Sequence, residues 1–270
     1  MARIRIGIGG WDFPGWRKSF YPAGLPHAEE LAFASRHVST IEINSTFYRT
    51  QRPESFRHWA EQTPDDFVFS VKAHRLTTHR KVLAEAGPAI SHFLDSGVLE
   101  LGLKLGPLLW QFAPTKKFEP DDFEAFLASL PDEYGGRVLR HVVEVRHASF
   151  CQPAFVELAR QYNTAICLVE SDKYPLIADV TADFVYARLQ KSAASQETGY
   201  SAQKLDEWAV RARLWASAAM PQDLHYLAKS FEKHPDGRDI FLYFISGAKE
   251  RNPAAACALL ERSERREKAG

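Results

Sequence analysis

Apolar residues in this chain fall into short runs, separated by longer segments in which they recur every three or four positions. The short runs are rich in β-branched and aromatic residues and read as buried strands. They cover residues 4–9, 40–44, 67–72, 108–112, 138–145, 165–169, 184–189 and 240–244. The longer segments read as helices over 28–36, from Pro53 onward, 121–130, 153–162, 202–219 and from Pro253 onward, with a polar-to-helical stretch over 77–96. Pro53 suits a first helical turn, and Phe56, Trp59 and Ala60 follow at helical spacing. Repeated alternation of strand and helix predicts an α/β fold, a (β/α)8 barrel of the TIM type, as a single domain over 1–270. A doubly wound open sheet is the rival. It would need a glycine-rich dinucleotide loop after the first strand. In Gly7-Ile8-Gly9-Gly10-Trp11, bulky Trp11 and Phe13 occupy the turn and Pro14 follows, so that pattern fails.

Composition narrows the picture. Hydrophobic residues make up 45% and charged residues 25% of 270, which excludes wholesale disorder. Lys+Arg and Asp+Glu are both 34, so any anion site must be local rather than a bulk property. Cys151, Cys167 and Cys257 lack CxxC spacing, which argues against a disulfide framework and fits a reducing compartment. No signal core follows Met1-Ala2-Arg3-Ile4-Arg5, and no apolar run approaches the roughly 18 residues that span a bilayer. A cytoplasmic protein with no membrane partner is expected. The mixed-charge tail, 261–268, reads as a solvated helix end.

Barrel enzymes build their sites at the carboxyl ends of the strands. Here those ends carry Trp11, Glu42 with Asn44, Lys72, Gln111, Glu144 with Arg146, Glu170, Arg188 and Tyr243. Glu42 and Glu144 each sit inside an apolar run, where an unpaired carboxylate is costly. Glu42 is therefore expected to be buried and hydrogen-bonded to Lys72, Arg146 or Arg188. The strand period of two places Asn44 on the face of Glu42, and Arg146 on the face of Glu144. One reading makes Glu42 and Glu144 an acid/base pair, with His147 as a proton shuttle. A hydrolase or isomerase is the reaction class such a pair serves. Trp11, Asn44, Tyr48, Lys72, Gln111, Arg146, Arg188 and Tyr243 would then bind a small anionic, phosphorylated substrate.

A second reading is a nucleic-acid-binding or repair protein. Arg17, Lys18, Arg49, Arg52, His74, Arg75, His79, Arg80 and Lys81 lie in loops after the first three strands, where they would form a basic rim. A third is a non-catalytic ligand-binding barrel in which the glutamates only balance the cations. Phe13, Trp16 and Phe20 make the first loop aromatic and suit a lid or a plug. No HExxH, HxH or Asp/His ladder is present, so no metal ligands are assigned. No GxSxG elbow is present either. Neither a cofactor nor an oligomeric state follows from the sequence.

Several motifs resemble the domain of unknown function 72 family, the YecE-like barrels. They are Gly7-Ile8-Gly9-Gly10-Trp11, Trp16-Arg17, Phe20-Tyr21-Pro22, Glu42-Ile43-Asn44-Ser45-Thr46-Phe47-Tyr48, Trp59-Ala60-Glu61-Gln62-Thr63-Pro64 and the run 67–72. The run 105–112, Glu144-Val145-Arg146-His147 and Tyr186-Ala187-Arg188-Leu189 complete the set. The resemblance implies a TIM-type barrel and no particular reaction. Two positions depart from the family pattern: Gln190 where a His is frequent, and Ile245-Ser246 where Asn-Asn is usual. The outline is also similar to barrels of the xylose-isomerase and apurinic-endonuclease type, a likeness of fold only.

Overall fold

A computed structural model describes residues 2–228 and 237–264. Its strands are β1 (Ile4–Gly9), β2 (Thr40–Ile43), β3 (Val68–Lys72), β4 (Leu105–Gln111), β5 (His141–Glu144), β6 in two segments (Ala165–Ile166 and Leu168–Glu170), β7 (Phe184–Leu189) and β8 (Asp239–Phe244). Neighbours in the chain pair in parallel, and β8 returns to β1 with Ile4 opposite Ile240. The first segment of β6 pairs with β5 and the second with β7. Between the segments, the Cys167 N–H donates to Val143 O at 2.9 Å. The sheet thus closes into the barrel that the alternating pattern predicts.

The helices are α1 (Glu30–Ala34), α2 (Pro53–Glu61), α3 (Gly87–Asp95), α4 (Pro120–Ala128), α5 (Pro153–Gln161), α6 (Ala202–Ala216) and α7 (Asn252–Glu264). Five of them, α2 to α5 and α7, carry proline in the first turn, where its missing N–H costs nothing and its fixed φ suits the helix. Residues 77–96 do run from polar turns, with a 3-10 segment at Leu83–Glu85, into the helix Gly87–Asp95. Two expectations need correction. Among the described residues, no helix joins β6 to β7, so the eight strands have only seven helical partners. Val138 does not begin β5. It is 81% exposed and belongs to a hairpin of Glu133–Tyr134 against Arg137–Val138. Gly135 and Gly136, both at positive φ, supply that tight turn. Half of the expected helix-end tail, 265–268, lies outside the described residues. No helix among the described residues is long and apolar enough to cross a membrane.

The strand period of two sorts side chains onto two faces. Ile6, Ile8, Ile41, Ile43, Val71 and Leu242 face the helices within the main core. Leu109, Val142, Cys167, Phe184, Phe241 and Tyr243 form a smaller cluster inside the barrel. Further toward the carboxyl ends, the interior positions turn polar and become Glu42, Lys72, Gln111, Glu144 and Arg188, all buried.

Candidate functional site

The polar layer is built around one guanidinium. Arg188, on β7, donates from Nη2 to Glu42 Oε1 at 3.0 Å and from Nη1 to Glu144 Oε2. Tyr186, two residues earlier on the same face, donates its hydroxyl to Glu42 Oε2 at 2.6 Å. Glu144 Oε1 accepts from Arg146 Nε at 2.7 Å. Gln111 Oε1 accepts from Arg146 Nη2 at 2.6 Å and from Arg188 Nη1 at 3.2 Å. Beneath, the Tyr186 hydroxyl also meets Ser70 Oγ at 2.8 Å, and Tyr243 meets Thr40 Oγ1 at 2.9 Å. Five strands therefore converge on one network, in which Glu42, Glu144, Arg146 and Arg188 each have an opposite charge in contact.

The network sets the protonation of its members. Burial alone would raise the Glu144 carboxyl, but Arg188, Arg146 and Lys72 together hold it below its usual range. Burial alone would lower Arg188, yet Glu144 and Glu42 outweigh it and raise the group further. Burial, and then the charge of Glu42, push the Tyr186 phenol up. Lys72 is different. Its ammonium lies 3.8 Å from the centre of the Phe47 ring. Withdrawal from water, and then repulsion by Arg188, push its pKa down to about 7.

Above this layer opens a cavity of about 580 Å³, lined by Gly9, Asn44, Phe47, Tyr48, Lys72, Arg75, His79, Gln111, Arg146, Arg188, Ile245, Ser246, Lys249 and Asn252. Among the described residues, no carboxylate lines it. The charges of Glu42 and Glu144 are matched by those of Arg146 and Arg188. Lys72, Arg75 and Lys249 have no carboxylate within 4.0 Å among the described residues. Three cations therefore face the opening without a counter-charge.

Of the residues expected from the sequence, Asn44, Tyr48, Lys72, Gln111, Arg146 and Arg188 line this cavity. Tyr48 is 70% exposed at its rim. Glu42 meets the expectation of a buried carboxylate paired with a cation of another strand, and the partner is Arg188. Glu42 and Glu144 are both 0% exposed, however, and neither reaches the cavity. His147 spends Nδ1 accepting from the Ser149 N–H at 3.1 Å, as the cap of a short turn, and lies off the cavity. Trp11 turns outward and packs edge-on against Trp59 and Phe69. Tyr243 lies one layer deeper, on Thr40. Glu170 accepts from the Tyr200 hydroxyl at 2.7 Å and is likewise off the cavity. Sequence reasoning passed over Lys249 and Asn252, which a loop after β8 brings round. It also passed over Tyr186, whose position in an apolar strand reads as packing alone. Ile245 and Ser246, where the chain departs from the family pattern, line the cavity itself.

Of the nine loop residues expected to form a basic rim, Arg75 and His79 line the cavity, while Arg80 and Lys81 line an adjoining groove. Arg17 is held by Glu30. His74 caps its own turn. Arg49 and Arg52 join neither opening.

A closed parallel barrel with a polar, cation-rich mouth is thus the class of protein defined by the fold and site. The chain belongs to the family described as "Protein of unknown function DUF72", which it matches over residues 5–269. It is 33% identical over 150 residues to UPF0759 protein YecE of Escherichia coli (strain K12), across 54% of this chain and 50% of the relative. It is 26% identical over 165 residues to UPF0759 protein YunF of Bacillus subtilis (strain 168), across 57% and 54%. The chain spans about half the length of the curated relatives it matches. A DUF72 family protein of Thermotoga maritima has a similar structure, with a TM-score of 0.69 at 20% identity over 98% of this chain and 99% of the other.

Proposed function

We propose that the mouth of the barrel binds a small anionic ligand, carrying phosphate or carboxylate, through Lys72, Arg75 and Lys249. The observation that carries this reading is a cavity whose charged lining residues are all cationic, three of them with no carboxylate within 4.0 Å among the described residues. Arg146 and Arg188 add directed N–H donors held by the buried glutamates. In this reading Glu42 and Glu144 are counter-ions that keep the two guanidinium groups in place, not an acid and a base. An acid–base step on the ligand falls instead to Lys72, whose amine exchanges its proton near neutrality inside the cavity.

Sulfate is the cleanest probe, because its own charge does not change across the working range. Below about pH 7 Lys72 is charged and attracts the anion; above it the free protein holds a neutral amine. Affinity measured by calorimetry is therefore expected to fall as pH rises from 7 to 9, with protons taken up on binding. Lys72→Met is expected to weaken binding roughly tenfold at pH 6.5 and to flatten the pH profile. Arg75→Ala is expected to weaken binding while keeping the profile. Equal sulfate affinity in Lys72→Met and the parent protein would overturn the reading.

One further observation favours a second reading, a ligand with a chain of phosphates such as a nucleic acid. The cavity shares His79 with the adjoining groove of about 420 Å³, which is also lined by Arg80, Lys81, Lys117, Glu119 and a Lys116 paired with Asp122. With exposed Tyr48 at the rim, the two openings offer a basic track beside an aromatic face. The salt dependence of oligonucleotide binding tests it.

A further inference from the structure

The loop after β1 gathers a second charged cluster, apart from the cavity. Asp12 Oδ1 lies 3.2 Å from His27 Nε2, and Glu30 Oε2 lies 3.5 Å from the same nitrogen. The three atoms all lie within 4.8 Å of one another. Glu30 is only 1% exposed. Its Oε1 accepts from Arg17 Nε at 2.7 Å. Its Oε2 is buried and has no hydrogen-bond partner. A buried carboxylate oxygen left unsatisfied is costly. His27 does not relieve it, because one imidazole N–H serves one oxygen well, and Asp12 stands closer. A cation placed among the three would satisfy both carboxylates and the ring nitrogen together.

We propose that Asp12, His27 and Glu30 form a binding site for a divalent cation of the zinc type. Ligands at 2.0–2.1 Å in a tetrahedron stand about 3.3 Å apart, and the separations of the two carboxylate oxygens from the ring nitrogen, 3.2 and 3.5 Å, bracket that edge. One imidazole nitrogen and two carboxylate oxygens form an accepted donor set for zinc. Asp12 and His27 are more than half exposed, which leaves the fourth position to water. Arg17 would orient Glu30 through the oxygen that the metal does not use, while its Nη2, 3.6 Å from Asp12 Oδ1, pairs with the second carboxylate. None of the three residues lines the cavity, so the site is a staple rather than part of the chemistry at the mouth. It would fasten the aromatic first loop to the start of α1. Trp16 in that loop donates Nε1–H to Lys249 O at 2.8 Å. The staple thereby reaches the segment that carries one of the cavity cations.

The test uses the full chain, stripped with a chelator and titrated with zinc alone. One equivalent is expected to bind, to shift the His27 ring resonances in an NMR spectrum and to raise the melting temperature. Asp12→Asn and His27→Gln alter exposed side chains and should fold; each is expected to lose at least roughly tenfold in zinc affinity. Arg17→Gln is expected to retain binding, since it removes no ligand. Magnesium, which prefers six oxygen ligands, is expected to bind far more weakly. Zinc binding that is undiminished in Asp12→Asn and His27→Gln, or an absence of binding, would overturn the proposal.

Discussion

At the scale of single residues, the barrel interior is governed by Arg188. It separates two carboxylates that are both fully buried. Arg188→Met would leave Glu42 with only the Tyr186 hydroxyl and Glu144 with only Arg146. Removing one partner of a buried ion pair costs about 3–5 kcal/mol, and urea denaturation at pH 7 is expected to show a loss of that order. The pH dependence gives a second check. In the parent protein Glu144 titrates below its usual range, so its stabilisation is present above the unfolded pKa and is lost as pH falls through the folded one. In the variant, protonation in acid removes the buried charge left without Arg188 and so relieves its penalty. The difference between the two proteins is therefore expected to shrink as pH falls from 7 toward 4. A constant difference would mean that the arginine acts through packing alone. The need for a partner was legible in the sequence, because Glu42 and Glu144 interrupt apolar runs. The identity of the partner was not, since Lys72, Arg146 and Arg188 are equivalent until the strands are placed around a circle. Lys72, read as one more member of that ionic set, instead stands over Phe47 with no carboxylate.

At the scale of elements, the strands were the most legible part, because their period of two and their β-branched content agree. The misreadings fall where local chemistry imitates or interrupts that signal. Val138 has strand character but pairs in a hairpin, because Gly135 and Gly136 turn the chain sharply before β5. The link from β6 to β7 carries apolar Ile177, Ala178 and Val180, all buried without a helix. Asp179 within it accepts from the Leu227 and Ala228 N–H groups at 2.9 and 3.0 Å, a long-range tie that no local pattern announces. The glycines of β1 read as a failed nucleotide loop, and their purpose is strand contact. A Cβ on Gly7 would lie 1.7 Å from Thr40 O, a backbone atom of β2. Gly7 pairs with Thr40 and Gly9 with Glu42, so parting the strands there would shift the buried carboxylate as well. Gly7→Ala is expected to cost at least the upper end of about 1–3 kcal/mol and to weaken sulfate binding. At Gly9 the nearest atoms belong to the Ile245 and Asn44 side chains, at 3.0 and 3.2 Å, which give way at less cost than the backbone atom that opposes Gly7. Gly9→Ala is expected to destabilise less. Chemical denaturation of the two variants side by side decides it, and equal losses would contradict the strand-contact account.

At the scale of the whole molecule, charge is balanced overall, with 34 residues of each sign, yet the mouth is cationic. The barrel was legible because alternation and family motifs run the length of the chain. The cavity was only half legible. Strand-end residues can be read off in order, whereas Phe47, Arg75, His79, Lys249 and Asn252 arrive on loops whose paths depend on tertiary packing. The same loops decide between a small anion and a longer one. A single-stranded oligonucleotide that neutralises successive cations of the cavity and groove should show log affinity falling with log salt by about 0.7 for each phosphate held. Lys81 and Lys117 are exposed, line only the groove and have no carboxylate within 4.0 Å among the described residues. Replacing both with Gln is expected to reduce that slope by roughly 1.4 and to leave sulfate affinity within about twofold, since both side chains lie outside the cavity. Lys72→Met is expected to weaken both ligands. If the oligonucleotide fails to bind even at low salt while sulfate binds with the pH profile of Lys72, the groove is solvated charge and the site takes one small anion. If the oligonucleotide binds and the Lys81/Lys117 pair changes its slope, the two openings act as one track, because a screened surface charge enters the slope only when a phosphate displaces its counter-ions.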